Sequence, residues 1–357
     1  MEVPSGWDDA AARSPGGHVL QSSVWAALRE RQGWRAEYVR IARELPLALV
    51  LWRDALAGQR IAYVPRGPII APGDSAGLRH VLLRLADLAR ERGAVFLKVD
   101  PELTAEFAAE PLRAAGFIRS SQDIQPVLAT LELDLAPDED GLMAAMDKDT
   151  RWSVRQGPKR GVAVREVSDD EGLRAFYDLY ALTGRRAEFI TRTHDYYQSV
   201  WRALIDARLA TLRLAYVDDV PVAGAMTWRC GERVVYQTGA TNDAARKSHA
   251  AYVLLWECII GAKREGAKRF DLGGIPTDVE RKDDPMYGPY LFKRGFGGVA
   301  RRWVGAHDAV PRTLAYRAYL LAEPAYTATD EMWISRAPVV RAASTASRVP
   351  STLAATY

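Results

Sequence analysis

The chain has 357 residues, of which 48% are hydrophobic and 26% charged, with a formal net charge of +3. That length exceeds what one core ordinarily supports, so two domains are expected, and the composition excludes a disordered chain. The small net charge does not mark a dedicated nucleic-acid binder, although 48 Lys and Arg leave room for a local basic groove.

Cys230 and Cys258 are the only cysteines, which excludes a disulfide scaffold and favours the cytoplasm. The five His are scattered and show no zinc spacing, so neither a metal nor a cofactor is expected. Residues 1–17 have no basic segment leading into an apolar one, and no signal peptide is expected. The longest apolar runs, such as Tyr252 to Ala262, are too short to span a bilayer. A membrane-linked substrate would therefore be met peripherally, from the cytoplasmic side.

From Leu47, LALVLWRD reads as a strand. Ala57 and Gly58 form a turn, and RIAYVPRGPII completes a hairpin. A loop with Pro72, Gly73 and Ser75 opens a helix through GLRHVLLRLADLARERG, in which Leu78, Val81, Leu82, Leu85 and Leu88 recur at helical spacing. The strand AVFLKVD and a short helix ending at Ala115-Gly116-Phe117 follow. Residues 131–165 contain a strand and then a helix rich in Lys and Arg, and Ser168 to Glu171 reads as a capping box for the next helix. From Leu212 the order repeats. LRLAYVDD, PVAGAMTWRCGERVVYQTGAT, a loop, the helix AAYVLLWECIIGAKREG and the strand AKRFDLGG lead to Arg294-Gly295-Phe296.

The text VLLRLADLARERGA from Val81 matches VLLWECIIGAKREGA from Val253, the mark of an internal repeat. The fold class expected is α/β, with two tandem acetyltransferase-like (GNAT-type) domains, each built on a mixed sheet. The first spans residues 1–145 and is completed by 307–340. The second spans 146–306, and 341–357 reads as a disordered tail.

Four constellations bear on chemistry. In PYLFKRGFGG, Lys293 and Arg294 stand beside glycines that permit close approach of a phosphate backbone; a β-bulge with a solvated lysine fits the same text. Lys148, Arg151 and Arg155 share one helical face, either a phosphate-holding face or a solvated one. Tyr63-Val64-Pro65-Arg66-Gly67-Pro68 either holds Arg66 in a defined place or simply ends a strand. Asp100, at a strand end before Pro101, can orient or deprotonate an amine, or form a local turn. The turns before the two repeated helices, PGDSAG and ARKSHAA, lack the Gly-rich pattern that cradles coenzyme A, and no nucleotide-hydrolysis motif is present.

In combination these motifs resemble the FemABX family of non-ribosomal peptidyl transferases, which build the interpeptide bridges of peptidoglycan from aminoacyl-tRNA. The matching text is Gln21-Ser22 with Trp25, Gly33-Trp34, YVPRGP at 63–68, Ile124-Gln125-Pro126 with Thr130, Phe176-Tyr177 through Thr183 and Arg186, Asp271 to Ile275, and FKRGFGG. The resemblance implies transfer of an aminoacyl group from aminoacyl-tRNA, as donor substrate, to a side-chain amine of a UDP-linked or lipid-linked muropeptide precursor, by a monomer. It implies that Lys293 engages the acceptor end of the tRNA and that Asp100 lies near the attacking amine. Arg29 and Arg192 fall on a diphosphate-binding pair, with Tyr196 close by and Tyr236 in the substrate cleft. Arg66 joins these substrate-binding residues, and Phe292, Arg294, Lys148, Arg151 and Arg155 join Lys293 on the tRNA side.

The chain departs from the family pattern at Val95, where a tyrosine can stand, and at Gly157-Pro158, which interrupts the basic helix. It also lacks a coiled-coil arm near residues 200–212. The alternatives are tRNA-dependent amide formation in small-molecule peptide synthesis, an acyl-coenzyme A N-acyltransferase, and a binding module without catalysis.

Overall fold

The computed structural model describes residues 2–41, 45–55, 58–187, 191–327 and 339–340. These fall into two compact units, the first formed by residues 2–128 and 302–327 and the second by 129–301 with 339–340. The expected tail, 341–357, lies outside the described residues.

In the first unit, α1 (Trp7–Arg13) and α2 (Ser23–Glu30) lead to β1 (Arg35–Arg40), β2 (Leu47–Asp54) and β3 (Arg60–Val64). Then come α3 (Ser75–Glu91), β4 (Ala94–Val99), α4 (Ala105–Ala114) and β5 (Phe117–Arg119). In the second unit the order is β6 (Ala129–Asp134), α5 (Glu139–Ala145), α6 (Lys148–Gln156), β7 (Ala163–Val167), α7 (Asp170–Ala187), β8 (Thr191–Arg192) and α8 (His194–Asp206). It continues through β9 (Ala210–Val217), β10 (Val220–Cys230), β11 (Arg233–Thr241), α9 (Asp243–Ser248), α10 (Ala250–Arg264), β12 (Arg269–Gly274), α11 (Tyr287–Arg294) and β13 (Val299–Arg302). The chain then returns to the first unit as β14 (His307–Ala309) and α12 (Thr313–Thr327), and β15 (Val339–Val340) pairs with β8.

The first sheet has the order β1-β2-β3-β4-β14-β5, in which β3 and β4 are parallel and their neighbours antiparallel. A parallel pair requires a crossover, and α3 supplies it. Its apolar stripe, Leu78, Leu82 and Leu85, packs on Ala48, Val50, Ala62, Leu97 and Val99. The opposite face of β4 presents Phe96 to Tyr319 and Tyr316, with ring centroids at 4.9 and 5.5 Å.

The second sheet repeats this plan in the order β13-β6-β12-β11-β10-β9-β7, with β11 and β12 parallel and α10 as the crossover. Leu254, Leu255, Cys258 and Ile259 of α10 join Val222, Ala225, Phe270 and Leu272 in one core. On the other face Phe176, Tyr180, Tyr197 and Trp201 of α7 and α8 stack together. The units β2-β3-α3-β4 and β10-β11-α10-β12 are the two copies of the internal repeat.

The expected boundary at residue 145 moves to 128. Asp134, Leu133 and Glu132 of β6 pair with Arg269 to Asp271, so this strand extends the second sheet. The cap of α7 shifts by one residue from the expected Ser168: the Asp169 carboxylate accepts from the Gly172 amide at 2.7 Å. No described helix is long and apolar enough to cross a membrane.

The returning strand β14 carries a buried charge that closes the first unit. Lys98 of β4 donates to one carboxylate oxygen of Asp308 at 3.1 Å and lies 2.9 Å from the other, and the Tyr316 hydroxyl donates to the same carboxylate at 2.7 Å. Removing one partner of a buried pair strands the other charge away from water. Asp308→Ala should therefore lower unfolding stability by about 3–5 kcal/mol, read as a shifted urea midpoint. An unshifted midpoint would show that Lys98 finds water or another partner.

Candidate functional site

The second unit gathers its polar side chains where β11 and β12 separate. Their ladder ends at Val235 opposite Asp271, and the register of β10 against β11 slips between Met226 and Thr227, so β11 bends away here. Asp271 is buried and fixed from two sides. Arg233 donates to one oxygen at 2.5 Å, and the Gly273 amide donates to the other at 2.7 Å. The Thr130 hydroxyl lies against that same carboxylate and 2.9 Å from the Gly273 carbonyl. Glycine is required at 273, where φ is +76° and a Cβ would stand 2.8 Å from the Tyr236 carbonyl.

Lys293 enters from the last turn of α11 and is 7% exposed. Its ammonium donates to the Gly274 carbonyl at 2.7 Å and lies 3.6 Å from the Cβ position of Gly273. Desolvation pushes its pKa down to about 8, against the opposing pull of Asp271. Tyr236 lines the same strand end. Its ring folds over Gly239, where a Cβ would stand 1.8 Å from the hydroxyl, and burial pushes that hydroxyl's pKa up. The Lys293 ammonium and the Tyr236 backbone carbonyl, from residues expected to serve two different substrates, thus both approach Gly273, while the Tyr236 ring lies over Gly239.

The β-bulge that FKRGFGG equally allowed is not formed. Phe292, Lys293 and Arg294 close α11, and the left-handed Gly297 and Gly298 turn the chain into β13. The basic helix α6 docks directly on this turn. The Asp147 amide donates to the Gly295 carbonyl at 2.9 Å, and a Cβ at Gly295 would stand 2.0 Å from the Thr150 hydroxyl. Lys148, Arg155 and Arg294 are exposed around it. Arg151 differs, because its guanidinium donates to the Ala144 and Met146 carbonyls at 3.0 and 3.2 Å and caps α5. Elsewhere in this unit, Arg192 is buried with its guanidinium 5.0 Å from the Tyr196 ring centre.

In the first unit the matching strand end is Asp100, 2% exposed. It accepts from the Tyr63 hydroxyl and from the Arg66 amide, each at 2.6 Å. Arg66 has φ +51°, a left-handed backbone that an arginine adopts only under constraint. Its guanidinium donates to the Val127 carbonyl at 3.0 Å and pairs with Glu102 at 3.5 Å. Gln21 secures the other side, donating to the Pro65 carbonyl at 2.6 Å and accepting from the Leu49 amide at 2.7 Å. Asp100 is thus a positioning group for Arg66 in this geometry, and both of its oxygens already accept hydrogen bonds. Arg29 is buried, between Trp25 and Trp34 at 5.8 and 5.3 Å, and donates to Gln32 at 2.7 Å. It belongs to the first unit, whereas Arg192 belongs to the second.

The sequence reading assigned no role to Glu102, Tyr63 or Arg233. Glu102 sits one residue beyond Pro101, Tyr63 opens the YVPRGP text in which only Arg66 was given a role, and Arg233 begins β11. Only their pairing with Arg66, Asp100 and Asp271 reveals them.

A FemAB family model matches residues 7–113, and an acetyltransferase (GNAT) domain model matches residues 144–294. The lipid II:glycine glycyltransferase of Staphylococcus aureus is 22% identical over 93% of this chain and 95% of its own length. The crystal structure of FemX superposes with a TM-score of 0.80 at 22% identity, over 90% of this chain and 99% of that one. These matches support the FemABX family for this chain. A tandem GNAT protein from the clavulanic acid biosynthesis pathway shares the fold more distantly, with a TM-score of 0.50 at 15% identity, over 86% of this chain and 94% of that one. The chain is accordingly an acyltransferase built from two GNAT-like units.

Burial pushes the Asp100 pKa up to about 6, with the Arg66 charge pulling the other way. Folding thus favours the protonated form. This group leaves stability unchanged below the unfolded pKa near 4 and lowers it as pH rises from about 4 to about 6. Asp100→Asn should flatten the stability profile across that window, measured as urea midpoints at stepped pH. A profile as steep as that of the wild type would mean that other groups carry the dependence.

Proposed function

We propose that this acyltransferase moves an aminoacyl group from aminoacyl-tRNA to a side-chain amine of a peptidoglycan precursor stem peptide, forming an interpeptide bridge in the cytoplasm. The observation that carries the reading is the buried ammonium of Lys293 at the open end between β11 and β12. A cation held in a dry strand end attracts a phosphate or a developing oxyanion far more strongly than one in water. The lipid II:glycine glycyltransferase relative supports the class of acceptor.

The amine nitrogen attacks the ester carbonyl carbon. A C–N amide bond forms, the C–O bond to the ribose breaks, and the amine proton ends on the ribose oxygen. The ester is already activated, so positioning and charge stabilisation suffice, and no Ser or Cys nucleophile is required. Lys293 neutralises charge at the ribose end. The Arg233–Asp271–Thr130 cluster holds the strand end against which Lys293 is set. Arg66, fixed by Asp100 and Glu102, is placed for the precursor.

The capping of α3 weighs against coenzyme A as donor at that helix. The Asp74 carboxylate already accepts from the Gly77 amide at 2.8 Å. That amide is a donor that a pyrophosphate would need.

Lys293→Met should reduce transfer from charged tRNA at least about 100-fold while leaving the circular dichroism spectrum unchanged. With its pKa lowered to about 8, Lys293 loses its charge as pH rises through that value, so transfer should fall above about pH 8. Lys293→Arg should move the fall to higher pH. Full transfer by the methionine variant would refute the assignment.

A further inference from the structure

A large aromatic side chain stands in the open at the centre of the basic helix α6: Trp152 is 49% exposed. Its ring meets the His249 ring edge-on at 5.1 Å, and the Arg160 guanidinium lies 5.8 Å from its centre. Arg160 is itself anchored, donating to the Lys247 carbonyl at 2.5 Å. His249 has φ +63° between α9 and α10, so the chain accepts a left-handed histidine at the point where this ring is presented. The rings continue inward. His249 lies 6.2 Å from Tyr252, Tyr252 lies 5.0 Å from Phe292, and Phe292 is the neighbour of Lys293. Tyr252 and Phe292 are half-buried, so the row runs from solvent toward the site.

Cations line this row. Lys148 and Arg155 stand four residues before and three after Trp152, on the same helical face, and Lys159, Arg246 and Lys247 are exposed beyond it. Asp149 is the acidic member of the face. Aromatic rings interleaved with cations complement an unpaired nucleic-acid strand, in which every base has a π-face and every link a negative charge. Double-stranded RNA would use the cations and leave the exposed indole without a partner.

We infer that the row Trp152–His249–Tyr252–Phe292 is a stacking track for an unpaired RNA strand whose 3′ end lies at Lys293. Trp152 is the outermost platform and takes a base upstream of that end. The inference rests on the aminoacyl-tRNA reading and adds the contact that distinguishes the single-stranded end of the donor from its duplex.

The test measures fluorescence anisotropy of two labelled RNA hairpins, one with a short unpaired 3′ tail and one blunt, together with KM for charged tRNA. Trp152→Ala should weaken binding of the tailed hairpin by about 5- to 150-fold and leave the blunt one nearly unchanged. Trp152→Phe should retain most of the affinity. Lys148→Ala and Arg155→Ala should each reduce the salt slope by about 1. Unchanged binding of the tailed hairpin by Trp152→Ala overturns the track, as does an equal loss with both hairpins. So does a loss seen only in cosedimentation with vesicles of phosphatidylglycerol, run beside the hairpins, which would make the patch a lipid contact. If the wild type and Trp152→Ala transfer with the same KM for charged tRNA, the track falls and the transfer reaction stands. If the wild type neither binds RNA nor transfers, both fall.

Discussion

Two parallel strands cannot be joined by a tight turn, and each unit of this protein is built around one such pair. The crossover helices α3 and α10 follow from that constraint, and so do their apolar stripes and the sheet faces they cover. So does the location of the polar groups. At the carboxyl ends of a parallel pair the chain leaves the sheet in loops, and backbone groups are released there from the ladder. Gly273, Gly274 and Arg66 sit at these exits, and Asp271 and Asp100 stabilise them.

The two exits use one device for different purposes. In each, a buried carboxylate at the strand end accepts from a backbone amide and from a side chain. At Asp271 the side-chain partner is Arg233, so the charge is matched and the strand end is rigid. At Asp100 the partners are a neutral hydroxyl and an amide, so burial raises the pKa, and the nearby Arg66 offsets part of the cost. A duplicated scaffold has thus kept its carboxylates while their side-chain partners have diverged.

Much of the architecture was legible because it follows from periodicity. The leucines of α3 repeat every three to four residues, and the matched text at Val81 and Val253 announces the same crossover twice. Lys293, Tyr236, Lys148 and Arg155 could be singled out from motif and helical face. The position of β6 was not legible, because a six-residue strand between two domains pairs equally well in text with either sheet, and its register against β12 decides. FKRGFGG was ambiguous for a related reason: glycines after a short apolar stretch fit both a bulged strand and a helix end, and the structure has the helix, with Gly295 packed against Thr150. Arg151 also looked like its neighbours, and only the carbonyls of α5 set it apart.

The return of the chain as β14 has a consequence for synthesis. This strand lies between β4 and β5, so the first sheet has a gap until residues 307–309 leave the ribosome. The second unit is continuous from residue 129 through β13, so its seven-stranded sheet is complete before that moment and only β15 joins the unit later. At ordinary elongation rates the gap stays open for roughly 10–40 s after β4 emerges. Throughout that interval Lys98 has no Asp308 to meet, and the facing edges of β4 and β5 are unpaired. Of the two large sheets, the one begun first is therefore closed last, and it is the one with the greater need of a chaperone while nascent.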